Sequence, residues 1–122
     1  MSKSVITSQG NGLYIIDTSP CQSYADLLES VQDSEALHDS QLELWDMTQI
    51  TIDLSTQQLI GLSEAARQKY HRPRKSAIVA QGDLIYGLMR VFSVHGTTSN
   101  TTIDVFRTRE EAERWLLQAT SE

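Results

Sequence analysis

Five polar side chains capable of acid–base chemistry or anion binding fall where predicted strands give way to predicted helices. Two nearby carboxylates can divide the roles of general acid and general base, and the start of a helix can bind an anion. The same residue types are also typical of turns and helix caps, so both interpretations stay open. We take them as a candidate regulatory or ligand site: Asp46, Asp53, Ser55, Thr56 and Asp83.

The rest of the sequence contains no motif that indicates a catalytic, cofactor or metal site. The three histidines, His38, His71 and His95, are far apart and lack metal-ligand spacing. The single cysteine, Cys21, excludes an internal disulfide and any CxxC motif. The sequence contains no GxSxG serine elbow, no GxGxxG turn and no Walker loop. We therefore expect a protein that is not an enzyme, with a small hydrolase based on the aspartates as a remaining alternative.

The stretch 42–70, LELWDMTQITIDLSTQQLIGLSEAARQKY, predicts a strand, a turn and a helix that together position most of these residues. Ser55 and Gln58 have the spacing of a capping box, in which each residue bonds the other's backbone amide. Apolar residues then recur at Leu59, Leu62 and Ala66, which is a helical spacing with one buried face. The helix is therefore expected to begin at Ser55 and run to about residue 70.

Strand and helix patterns alternate along the chain in the order β-β-α-β-α-β-α-β-α. This order predicts an α/β fold with a mixed, mostly parallel sheet of about five strands, helices packed on it and an N-terminal hairpin turning at 10–12. Asp83 is expected to cap the third helix and Gly96 to follow it in the left-handed conformation. A short helical turn is also expected near 35–38. The predicted strands are 5–7, 13–17, 42–47, 75–80 and 103–106, and the other helices are 23–32, 84–95 and one following Thr108.

Eight apolar residues of the second half of the chain are expected to be mostly buried in the core. They lie on the fourth strand, on the third helix and on the closing strand and helix, at spacings that place them on inward faces. They are Ile78, Val79, Leu88, Phe92, Ile103, Val105, Trp115 and Leu116.

Length and charge exclude several classes of protein. A chain of 122 residues is expected to form one domain, spanning 1–122. Its net charge of −6 argues against nucleic-acid binding. No run approaches the roughly 20 apolar residues of a membrane span, and no signal-peptide pattern is visible, so we expect a cytoplasmic protein.

The charges are unevenly distributed, because no lysine or arginine occurs between Ser4 and Ala66. Six basic-type residues, three of them arginines, then crowd into 67–75. One interpretation is a patch that binds an anion or an acidic partner. The other, which we favour, is a helix C-terminus followed by a solvated loop, where cations complement the helix dipole.

The segment ELWDMTQITIDLSTQQLIGL resembles the STAS domain of bacterial anti-sigma-factor antagonists, and most of the chain resembles the small SpoIIAA-like group of that family. Asp46 stands at the aspartate that ends the family's strand, and 53–56 stand at its D-S-S-G motif. Leu54 and Thr56 replace a serine and the glycine, so that Ser55 and Thr56 are the hydroxyls that remain. The later KSAIVAQGDLIYGLMRVF and TIDVFRTREEAERWL are similar to the group's following strands and helices.

The resemblance implies a non-catalytic regulatory or protein-interaction module of bacterial type. In the family, one serine of the D-S-S-G motif is phosphorylated and the motif contacts a kinase partner. A carrier-like domain that holds an apolar or anionic small molecule between sheet and helices is the alternative. A protein partner, a small-molecule ligand and a homo-oligomer all stay open at this point.

Overall fold

Five strands of the described residues form one mixed sheet, in which they lie side by side in the order in which they occur along the chain. The computed structural model describes residues 4–10, 12–32, 41–69, 74–97 and 101–118. The first two strands pair antiparallel, and every later pair is parallel. Gly10 and Gly12 flank the first turn with φ of 81° and 83°, the left-handed region that glycine enters without strain. The strands are β1 Val5–Ser8, β2 Leu13–Asp17, β3 Leu42–Asp46, β4 Arg74–Val79 and β5 Thr101–Phe106.

The four helices of the described residues cover the two faces of the sheet unequally. The first three pack side by side on one face, where the second contacts both of the others, and the fourth is the only described helix on the other face, against β3, β4 and β5. Crossovers between parallel strands require such helices, and they leave the interior strands buried on both faces. The helices are α1 Tyr24–Gln32, α2 Thr56–Lys69, α3 Asp83–Gly96 and α4 Arg109–Leu116.

Alternation along each strand divides the core into two layers. On β4, Ile78 faces the three-helix layer, whereas Ala77 and Val79 face the layer beneath α4. The coarse fold prediction is confirmed, because the described residues form an α/β structure with a five-stranded mixed sheet and four helices.

Most of the residues expected in the core are buried, and the rest are partly exposed. Leu88, Phe92 and Trp115 are only partly buried and pack against the core clusters from the outside. The buried members of the expected set are Ile78, Val79, Ile103, Val105 and Leu116.

Helix α3 begins and ends differently from the prediction. Gly82 occupies the N-cap position with an extended backbone, so Asp83 is the first helical residue rather than the cap. Gly96 is the last residue of the helix, and Thr97 follows it with an extended φ of −72°. A Cβ at Gly96 would lie 2.7 Å from Ile103 Cδ1, the far end of a flexible side chain, so a larger residue there would require that side chain to shift.

Other boundaries shift by one or two residues. Strand β4 begins at Arg74 rather than at Lys75, and β5 begins at Thr101 rather than at Ile103, since polar residues at both starts join the parallel ladder. The turn expected near 35–38, together with His38 and His71, lies outside the described residues.

Candidate functional site

The Asp46 side chain forms hydrogen bonds within a turn at the carboxyl end of β3. Its Oδ1 accepts hydrogen bonds from the Thr48 backbone N–H at 3.0 Å and from Thr48 Oγ1 at 2.7 Å. This is the Asx-turn geometry by which an aspartate replaces missing backbone partners where a strand ends. The side chain therefore stabilises the chain reversal that leads out of β3.

Ser55 and Gln58 form the predicted capping box at the start of α2. Ser55 Oγ accepts from the Gln58 backbone N–H at 3.1 Å, and Gln58 Oε1 accepts from the Ser55 backbone N–H at 3.0 Å. Ser55 is exposed, as is Thr56, the first residue of the helix. The Ser55 hydroxyl thus has a structural role and is also accessible from solvent.

Asp53 and Asp83 line a shared groove, which we call the carboxyl-edge groove, between the β3–α2 connection and the start of α3. It has a volume of about 290 Å³. Asp83 Oδ1 also pairs with Arg107 Nη1 at 2.7 Å, on the protein surface. The groove is lined by Ile50, Thr51, Ile52, Asp53, Gly82, Asp83, Leu84, Ile85 and Leu88.

The five predicted site residues are therefore only partly brought together. Asp53 and Asp83 share the groove, whereas Asp46, Ser55 and Thr56 do not line it. A shared acid–base site requires its carboxylates in different environments. Asp53 and Asp83 are both exposed, so this arrangement gives the hydrolase hypothesis no support.

A second concave site lies inside the three-helix layer and was not predicted. This inner cavity, of about 50 Å³, lies between the sheet and helices α1, α2 and α3, and apolar side chains form most of its wall. Arg74 is the only charged side chain among its described lining residues, and Ser76 lies on the same face of β4. The lining consists of Leu27, Val31, Trp45, Met47, Leu62, Ala66, Arg74, Ser76, Ile78, Met89, Phe92 and Ile103.

Glu43 organises the polar end of the inner cavity. Its Oε2 forms an ion pair with Arg74 Nη1, and both side chains are buried, with exposed fractions of 0% and 4%. Its Oε1 accepts hydrogen bonds from Trp45 Nε1 at 2.9 Å and from Ser76 Oγ at 3.3 Å. Three donors therefore converge on one buried carboxylate.

The register of the sheet explains this convergence. Glu43 on β3 lies directly opposite Ser76 on β4. Trp45 follows Glu43 by two residues and Arg74 precedes Ser76 by two, and residues two apart on a strand point to the same face. All four side chains consequently meet on the face that carries the three helices.

Sequence reasoning missed this cluster because it assigned the basic stretch 67–75 to a helix end and a solvated loop. That interpretation is wrong for Arg74, which is the first residue of β4 and only 8% exposed. A signal was available in Leu42-Glu43-Leu44-Trp45, because a charge on an interior strand covered on both faces must be buried and needs a partner.

The described residues include no group of three or more His, Cys, Asp or Glu side chains placed to hold a metal ion. Within the same part of the chain, no helix is both long and apolar enough to cross a bilayer. Comparison of the chain with protein-family models, curated proteins and solved structures finds no match.

Proposed function

We propose that this protein is a non-catalytic domain that binds a small molecule in the inner cavity, between the sheet and the three helices. The observation that carries the proposal is a largely apolar cavity with one buried polar end. Small-molecule sites usually combine an apolar wall with a few convergent polar groups. Arg74 and Ser76 supply such groups in the wall of the inner cavity, and Glu43 is bonded to both of them. The volume of about 50 Å³ fits a short apolar group rather than a drug-sized ligand.

Trp45 provides a direct reporter of occupancy, because it lines the inner cavity. The only other tryptophan, Trp115, packs on the opposite face of the sheet. In a Trp115→Phe background, titration with 1-pentanol should therefore change Trp45 emission saturably. Native mass spectrometry of freshly purified protein should also show whether a ligand is retained.

Ala66→Leu supplies the blocking variant, since Ala66 lines the inner cavity from α2. We expect the added side chain to fill the space, so that the emission change is lost while a thermal melt still shows a folded protein. Absence of both a retained mass and a saturable change in the Trp115→Phe protein would refute the proposed function.

A second candidate function, a STAS-like regulatory module that binds a protein partner, is favoured by the outer face of α3. Leu84 and Val94 are 70% and 75% exposed there, and Val91 is 38% exposed. Leu84 also borders the carboxyl-edge groove. Exposed apolar residues that share one helix face form the kind of surface that often binds a partner.

This candidate is tested by comparing captured proteins between matched surface variants. A partner that docks on α3 should be captured by the wild type and by Leu117→Lys, which alters a residue that is 55% exposed just after α4. The same partner should be lost by the double variant Leu84→Lys, Val94→Lys. Equal capture by all three proteins would remove α3 as the docking surface.

A further inference from the structure

The polar end of the inner cavity carries paired rather than single charges. Arg74 is the only charged lining side chain among the described residues, and Glu43 beside it provides the opposite charge. Both side chains are almost wholly removed from solvent, with exposed fractions of 4% and 0%. In so poorly solvated a place, the net charge of the site decides which ligand charge it accepts.

The Glu43 carboxylate is held in place by several donors. Trp45 Nε1 and Ser76 Oγ donate to one oxygen at 2.9 and 3.3 Å, and Arg74 pairs with the other. Because Trp45 and Ser76 are fixed on adjacent strands, the carboxylate cannot turn away from Arg74 without losing these bonds. An entering anion would therefore meet an arginine whose charge is already balanced.

We infer that the ligand of the inner cavity is electrically neutral, with a short apolar body and a carbonyl or hydroxyl oxygen at the Arg74 end. This inference rests on the proposed function and selects between its apolar and anionic alternatives. A carboxylate would add an unbalanced negative charge to a poorly solvated site, whereas a neutral oxygen adds none. The guanidinium can donate to that oxygen, and the Ser76 hydroxyl can still accept from an amide or hydroxyl group.

Three probes of equal chain length test the charge preference directly. In the Trp115→Phe background at pH 7, pentanamide and 1-pentanol should bind, and pentanoate should bind at least about tenfold more weakly, because the only charged side chain among the described lining residues, Arg74, is already paired with Glu43. Lowering the pH until the acid is protonated should raise its affinity, while that of pentanamide changes little. Pentanoate binding as tightly as pentanamide at pH 7 would overturn the inference.

Glu43→Gln should invert the preference. The glutamine oxygen can still accept from Trp45 and Ser76, but the Arg74 charge loses its balance, so pentanoate should now bind more tightly than pentanamide. Asp104→Asn is the matched control, since it removes one negative charge from an exposed position on β5. It should retain the wild-type order of affinities.

The two proposals fail in different ways. If none of the three probes binds and no ligand is retained, the proposed function and the inference both fall. If the probes bind with pentanoate equal or preferred in the wild type, the cavity is a binding site and only the neutral-ligand inference is lost. If Glu43→Gln does not fold, the pH titration of pentanoate on the Trp115→Phe protein still decides between these results.

Discussion

Ser55 stabilises the start of α2 through reciprocal hydrogen bonds with Gln58. Ser55→Ala removes the acceptor for the Gln58 amide and should lower the free energy of unfolding by about 1 kcal/mol. Ser55→Asp should stay near the wild type, because aspartate also caps and its charge suits the positive end of a helix. Urea denaturation of both variants measures the difference.

Thr56→Ala serves as the control for this prediction, since Thr56 is the neighbouring exposed hydroxyl at the first helical position. We expect it to change stability by less than about 0.5 kcal/mol. An equal loss in Ser55→Ala and Thr56→Ala would show that the capping box contributes nothing measurable.

Ser55→Asp also mimics phosphorylation, so loss of a partner by Ser55→Asp but not by Ser55→Ala would support the regulatory role that the STAS resemblance implies.

Removing one partner of the buried pair Glu43 and Arg74 should lower the free energy of unfolding much more than replacing both partners with uncharged residues. Arg74→Met leaves a buried carboxylate without its arginine and should lower the free energy of unfolding by about 3 to 5 kcal/mol. Adding Glu43→Gln removes the remaining charge and keeps an acceptor for Trp45 and Ser76. The double variant should therefore be more stable than Arg74→Met alone, and a double-mutant cycle by urea denaturation measures the coupling. Losses that simply add would contradict this account.

These two clusters show what local sequence can predict about a site. The capping box depends on two residues three apart, and it was found from that spacing alone. The pair of Glu43 and Arg74 joins residues 31 positions apart through the register of two strands. Spacing along the chain carries no information about that register, so the stretch 67–75 was interpreted from its charge alone.

Helix α4 is the only described helix on its face of the sheet. The last residue of α4 and the residue after it are both leucines, but only one of them is buried, so they allow the effect of burial on stability to be measured for one residue type. Leu116 is 2% exposed and packs in the second core layer, whereas Leu117 is 55% exposed. Leu116→Ala should lower the free energy of unfolding by about 2 to 5 kcal/mol because it leaves a cavity. Leu117→Ala should cost less than about 0.5 kcal/mol. Similar losses in the two variants, measured by thermal or urea unfolding, would contradict the placement of α4.

The order and type of the helices and strands follow from apolar spacing, but their ends depend on tertiary contacts. A helix follows Thr108 as expected, and the Thr108 side chain caps it by accepting from the Glu111 backbone N–H at 3.2 Å. Gly96 was interpreted from its position alone as a left-handed residue, whereas it ends α3 against Ile103. The contact between Gly96 and the Ile103 side chain on β5 cannot be derived from the helix sequence.

The sheet as a whole should be least stable at its antiparallel edge. Strand β1 is mostly exposed, with Val5 at 54%, whereas Leu44 on β3 and Ala77 on β4 are fully buried. Amide hydrogen exchange should therefore be fastest in β1 and slowest in β3 and β4, because local opening costs least where few apolar contacts break. Exchange followed by NMR gives this ranking, and protection of β1 equal to that of β3 would contradict it.

The strand order has a further consequence for synthesis on the ribosome. Each new strand pairs with the one made just before it, so a nascent chain can extend its sheet stepwise without waiting for a distant segment. The surface that α4 covers, including Ile15, Leu44 and Val79, is completed only when the last described helix emerges. Until α4 emerges and docks, this face of the sheet is an exposed apolar surface, and such surfaces promote aggregation of a growing chain.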